Sequence, residues 1–150
     1  NQTRVAKFSQ DGAFVAEFGR RGAGPGELRT PHGVAVDREG RIYVADRENA
    51  RLQVFDRDGA LRAVWGSERV GRPWGVTVGP DGYVVDGGDQ DPGRPRAGLF
   101  KLTREGEVVA RFVTTTQLDG AHAVAVGRDG AVYVAESDGR RVTKLVPRRR

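Results

Sequence analysis

The sequence contains no cysteine. That absence excludes disulfides, thiolate nucleophiles and cysteine-ligated zinc, and leaves the compartment open. No apolar run approaches the roughly 18 residues a membrane span needs. The first residue, Asn1, opens no signal peptide, although a chain whose export signal had been removed would read the same. Apolar residues are scarce at 37%, while glycines number 22 and prolines 7. A fold of many short strands, each needing a turn, accounts for both. Disorder is excluded because valines, leucines and aromatics recur in regular clusters. Lysine is also rare: 3 lysines stand against 22 arginines in a net charge of +5. A basic surface attracts anions, but these arginines scatter through turns, apart from Arg148, Arg149 and Arg150. No basic stripe is interleaved with aromatics, as nucleic-acid surfaces require. Nucleic acid is therefore disfavoured as a partner, and most of the charge reads as solvated surface.

What is present is a unit written three times. PHGVAVDREGRIYVAD spans residues 31–46, PWGVTVGPDGYVVD spans 73–86 and AHAVAVGRDGAVYVAE spans 121–136. Short apolar runs alternate with acid–glycine turns at Asp11-Gly12, Glu39-Gly40, Asp58-Gly59, Asp81-Gly82, Glu105-Gly106 and Asp129-Gly130. Such pairs supply the positive φ that tight hairpins demand. Strands are expected at Val5–Phe8, Phe14–Phe18, Val34–Val36, Ile42–Ala45, Leu52–Phe55, Leu61–Trp65, Val76–Val78, Tyr83–Val85, Leu99–Leu102, Val108–Phe112, Val124–Val126, Val132–Ala135 and Val142–Val146. No window has helical periodicity. The chain reads as all-β.

These strands group in fours, which is the pattern of a β-propeller of four-stranded antiparallel blades. Residues 1–19 supply two outer strands of a preceding blade, 28–66 and 71–113 supply a blade each, and 119–150 supply a blade without its outer strand. The total is a little over three blades in one domain of 150 residues. Propellers close with four to eight, so the chain is expected to be part of a longer propeller or to self-associate to complete the ring.

The first strand of a blade lines the central channel, so His32 and His122 are expected near one mouth of it. Two neutral imidazoles there suit a shared metal, and zinc is a common choice. Trp74 holds the same slot in the middle copy and cannot ligate. The other reading of each histidine is a hydrogen-bonded rim residue. Arg47, just after the second strand, suits either a clamp for a substrate carboxylate or an ion pair that organises the loop. The glycine-rich stretch 19–27 lacks the Lys-Ser/Thr pair of a phosphate loop and reads as a connection between blades. Asp37 suits a hairpin cap or calcium, for which one carboxylate is too little. The segment 87–98 interrupts a blade and suits a binding face or a plain surface loop.

The residues GAGPGEL at 22–28, PHGVAVD at 31–37, IYVAD at 42–46 and RLQVF at 51–55 resemble NHL-repeat propellers. His32 in Pro-His, then Ala45–Asn49 and Arg51–Phe55, resemble one branch further, the peptidyl-α-hydroxyglycine α-amidating lyases. That resemblance implies a six-bladed, zinc-dependent lyase that splits a peptidyl-α-hydroxyglycine into a peptide amide and glyoxylate, in a secreted or periplasmic setting. It implies His32 and His122 as two of three zinc-binding histidines, and Arg47 as the active-site arginine. The third histidine and the catalytic tyrosine of that family match nothing in this chain. Ala123 stands where animal enzymes place a calcium-binding aspartate, which argues against calcium. The alternative is a non-catalytic NHL scaffold that binds a protein, glycan or nucleic acid rather than a small peptide-like substrate.

Overall fold

The computed structural model describes residues 3–79, 98–113 and 118–146. Its strands are β1 (Val5–Phe8), β2 (Phe14–Phe18), β3 (Arg20–Arg21), β4 (Glu27–Leu28), β5 (Pro31–Val36), β6 (Ile42–Asp46), β7 (Arg51–Phe55) and β8 (Leu61–Trp65), followed by β9 (Gly98–Leu102), β10 (Val108–Val113), β11 (Ala121–Val126), β12 (Val132–Glu136) and β13 (Arg141–Leu145). β5-β6-β7-β8 form one complete four-stranded blade, and β11-β12-β13 form three strands of another. β1 pairs with β2 and β9 with β10, all antiparallel. This is a segment of a β-propeller. Among the described residues, no helix is long and apolar enough to cross a membrane.

The acid–glycine turns behave as their chemistry requires. Gly40 and Gly130 take φ of 83° and 77°, and each donates its N–H three residues back, to Asp37 and Gly127. Val76–Val78 departs from expectation. That segment forms no strand in the structure, although Val76 is buried. The hairpin partner expected at Tyr83–Val85 lies outside the described residues. Several short elements went unanticipated, among them β3, β4 and one helical turn. β3 and β4 pair in parallel, and Ser67–Val70 make one helical turn, α1, between blades.

Every residue of β6 is buried, because a blade is covered on both faces by its neighbours. Alternation along the strand divides the work. Ile42 and Val44 join Leu28 and Phe55 against Val5, Phe18 and Leu61, towards β1 and β2. Tyr43 and Ala45 join Leu52, Val54, Trp65, Val70, Val76 and Leu102, towards the next blade. A third cluster, Leu99, Leu118, Ala121 and Val134, seats β11 to β13.

A buried carboxylate closes the second strand of each complete hairpin set. Asp46 Oδ1 accepts the Arg29 N–H at 2.6 Å. Its Oδ2 accepts from Asn49 Nδ2 at 2.8 Å, Arg51 Nε at 2.7 Å and Gln53 Nε2 at 3.0 Å. Glu136 repeats this in the other blade. Its oxygens take the Asp119 N–H at 2.6 Å, Arg141 Nε at 3.0 Å and the Thr143 hydroxyl. The Arg141 and Thr143 hydrogen bonds, with that backbone N–H, outweigh burial and hold the Glu136 carboxyl down at about 2.

A carboxylate whose folded pKa is depressed stabilises the fold fully above its unfolded value and loses that contribution as pH falls through the folded one. Stability should therefore decline between about pH 4.5 and pH 2. Urea midpoints measured across that window should fall less steeply for Glu136→Gln than for the parent. Equal slopes would remove Glu136 as the acid-sensitive group.

Candidate functional site at the channel mouth

Where the innermost strands meet, main chain packs on main chain. A Cβ placed on Gly33 would lie 2.9 Å from the Trp74 carbonyl oxygen and 3.1 Å from the Gly75 Cα. A Cβ on Gly75 would lie 3.3 Å from the His122 carbonyl oxygen. The absent side chains let three successive inner segments approach, and the residue before each, His32, Trp74 and His122, is carried to the same place.

The three rings touch pairwise. Centroids of His32 and Trp74 are 4.7 Å apart, of Trp74 and His122 4.7 Å, and of His32 and His122 4.9 Å. His32 Nδ1 lies 2.8 Å from the Trp74 carbonyl oxygen. A carbonyl can only accept, so Nδ1 carries the proton, and in the neutral ring Nε2 keeps its lone pair. This is the arrangement by which proteins orient a metal-ligating histidine.

Arg47 arrives by another route. It begins the 3-10 turn Arg47–Asn49 that follows β6. Its Cζ lies 4.0 Å from the centroid of the Trp74 ring, a cation–π contact. Its Nη1 donates to Glu48 Oε1 at 2.8 Å, and Arg72 Nη2 reaches the same oxygen at 3.0 Å. The structure thus brings His32 and His122 into direct ring contact and joins Arg47 to them through Trp74. Trp74, Glu48 and Arg72 were not singled out as site residues. The repeat alignment held the signal for Trp74, since residues at one repeat position share one radius. Arg72 lies outside the repeated unit and carried none.

Zinc–nitrogen bonds of about 2.0–2.1 Å place two imidazoles that share an ion with centroids about 5 Å apart. The His32–His122 separation fits, as does the tautomer of His32. They fit as a pair. Among the described residues, no group of three His, Asp or Glu side chains converges.

Two other candidates resolve locally. Asp37 Oδ1 accepts the Arg41 N–H at 2.8 Å, and its Oδ2 accepts from Arg41 Nε at 2.6 Å and the Tyr43 hydroxyl at 3.0 Å. Burial, helped by the bond to Asp37, pushes Tyr43 up to about 12. Asp37 caps its hairpin. The glycine-rich stretch 19–27 is held as a connection between blades, because Arg51 donates to the carbonyls of Ala23, Gly24 and Glu27 at 2.7–2.8 Å. The segment 87–97 and Arg148–Arg150 lie outside the described residues.

Comparison with known proteins agrees with this architecture. Residues 28–55 match the NHL repeat. The chain is 34% identical over 160 residues to NHL repeat-containing protein 3 of Homo sapiens, covering 96% of this chain and 43% of that protein. It is 30% identical over 159 residues to peptidyl-glycine alpha-amidating monooxygenase B of Xenopus laevis, covering 97% of this chain and 18% of that one. A streptogramin B lyase structure superposes with a TM-score of 0.71 at 18% identity, over 97% of this chain and 45% of that chain; at this identity the likeness concerns fold alone. The chain is a β-propeller segment. More narrowly, it carries an NHL repeat at residues 28–55, and it spans less than half the length of these relatives.

Adding a methyl group at Gly33 should force the inner segments apart, since the nearest atoms are backbone and cannot swing away. Gly33→Ala should cost about 1–3 kcal/mol, the usual range for overpacking. It should also lengthen the His32–His122 separation. Thermal melting and the histidine side-chain NMR shifts would report the two effects, and unchanged shifts would show that the ring cluster does not depend on this approach.

Proposed function

We propose that this chain contributes part of the active site of a zinc-dependent, lyase-like propeller acting on a peptidyl-α-hydroxyglycine or a similar carbinolamide. In that reaction the hydroxyl loses its proton, the carbon–nitrogen bond breaks, nitrogen takes a proton as the amide leaves, and glyoxylate remains. The observation that carries the reading is the imidazole pair, 4.9 Å apart with His32 Nδ1 anchored on a carbonyl. His32 and His122 would hold the metal through their free nitrogens. A bound zinc would supply Lewis-acid polarisation of the substrate hydroxyl. Arg47, half-buried and stacked on the indole, would take the substrate carboxylate or the developing oxyanion. The similarity to the amidating monooxygenase supports the assignment.

A non-catalytic scaffold is the second reading. It is favoured by Trp74, which puts a non-ligating ring in contact with both imidazoles, and by the similarity to NHL repeat-containing protein 3.

Zinc content by elemental analysis and affinity by chelator competition separate the two. His32→Ala and His122→Ala should each weaken zinc binding by more than the roughly 10–100-fold that loss of an outer-sphere partner costs. Zinc retained equally by both variants, or no zinc in the parent, would end the metal reading. Release of glyoxylate from an α-hydroxyhippurate-type substrate by the longer protein would then test the chemistry.

A further inference from the structure

Each copy of the repeated unit presents valines to the blade before it, and one pair has no blade to meet. Val76 and Val78 pack with Ala35, Tyr43 and Ala45, the face that the β5–β8 blade turns towards them. One repeat later, Val124 packs with Leu99 and Leu118. Val34 and Val36 hold the same repeat positions, yet they are 58% and 60% exposed. Their cross-strand partners Val44 and Ile42 are covered by β1 and β2. The opening is therefore as wide as two strands.

At the far end of the segment the matching face lies open. Ala125 pairs with Tyr133, and Ala123 pairs with Ala135, which in turn pairs with Val142. This reproduces Ala35 with Tyr43, and Gly33 with Ala45 and Leu52. Tyr43, Ala45 and Leu52 are buried, whereas Ala123, Ala125, Ala135 and Val142 are exposed. Among the described residues, no fourth strand pairs with β13. β1 and β13 are also alike in sequence, RVAKF at 4–8 and RVTKL at 141–145. Val5 packs towards Ile42 and Val44, and Val142 holds the corresponding place in β13. Open apolar faces mark interfaces, and a contact between two unlike faces closes into a ring where its rotation allows. The chain matches 45% of the streptogramin B lyase chain over a shared fold, so two copies supply about one propeller of that size.

We propose that two copies of this chain close into one propeller, β11 and β12 of each seating on Val34 and Val36 of the other. β13 of the incoming copy takes the place of β1 beside β2. The seam is then a four-stranded blade like β5–β8, with β11, β12 and β13 from one copy and β2 from the other. β1 is the strand that yields. None of its residues is buried, while β13 is fastened to Glu136 through Arg141 and Thr143. A second copy is the occupant because the fit is the one the repeat already makes within the chain.

Sedimentation of the full chain across a concentration series tests the assembly. The parent should pass from the 16.3 kDa monomer to a dimer as concentration rises. Val36→Glu and Ala125→Glu, both at exposed positions, should each weaken the dimer about tenfold or more, because each buries a charge. Mixed together, the two variants should associate better than either alone, since one seam of the mixed pair carries neither charge. Val5→Ser loosens β1 in the monomer only and should favour the dimer about threefold or more. A monomer at every concentration would overturn the proposal. So would filaments that grow past the dimer, or an Ala125→Glu chain that dimerises like the parent. A Val5→Ser chain that dimerises more weakly than the parent would keep β1 in its place and overturn the strand exchange.

Discussion

A Cβ on Gly33 would stand 2.9 Å from the Trp74 carbonyl oxygen, and the arrangement of the mouth follows from that proximity. With main chain against main chain, the segments carrying Gly33, Gly75 and Ala123 come into close approach. The residue just before each small one is then carried to one place, where the three rings touch. His32, Trp74 and His122 meet there because Gly33, Gly75 and Ala123 leave room behind them. The same approach puts the Trp74 carbonyl within reach of His32 Nδ1, which fixes the ring's tautomer. Packing thus determines which nitrogen of a side chain two links away carries the proton.

The outer parts of the blades rest on a different constraint. β6 is covered on both faces, so its terminal Asp46 has no route to water and must satisfy its oxygens internally. It does so with Arg29, Asn49, Arg51 and Gln53. Arg51 and Gln53 then reach on to the carbonyls of the glycine-rich connection. A buried charge of this kind contributes less through its net energy than through the large penalty for breaking it. That penalty holds the start of β5, and with it His32, in register.

The strands and hairpins were legible because their cause is local. An acid–glycine pair between alternating apolar residues has few other uses, and the five such turns among the described residues all carry a positive-φ glycine. The histidine slot was legible through repetition. What escaped was long-range. Pairing of Arg20–Arg21 with Glu27–Leu28 depends on Arg51 and Asn49 pulling the intervening loop flat. The convergence of Glu48 and Arg72 depends on how two blades dock, which no spacing along the chain encodes. Trp74 was visible in the sequence but read only as a failed ligand, whereas its ring is the surface through which Arg47 joins the imidazoles.

The twin carboxylate clamps share one property. Asp46 draws its partners from residues 29–53, and Glu136 draws its own from residues 119–143. Each lock is enclosed within one blade and the linker that leads into it. A gene segment of that length therefore carries its own fastening wherever it is copied, so blades can be multiplied or exchanged without redesign of the clamp. Ion pairs that cross between blades, such as Arg72 with Glu48 and Arg104 with Glu39, have no such portability. Divergence after duplication should accumulate its functional differences there.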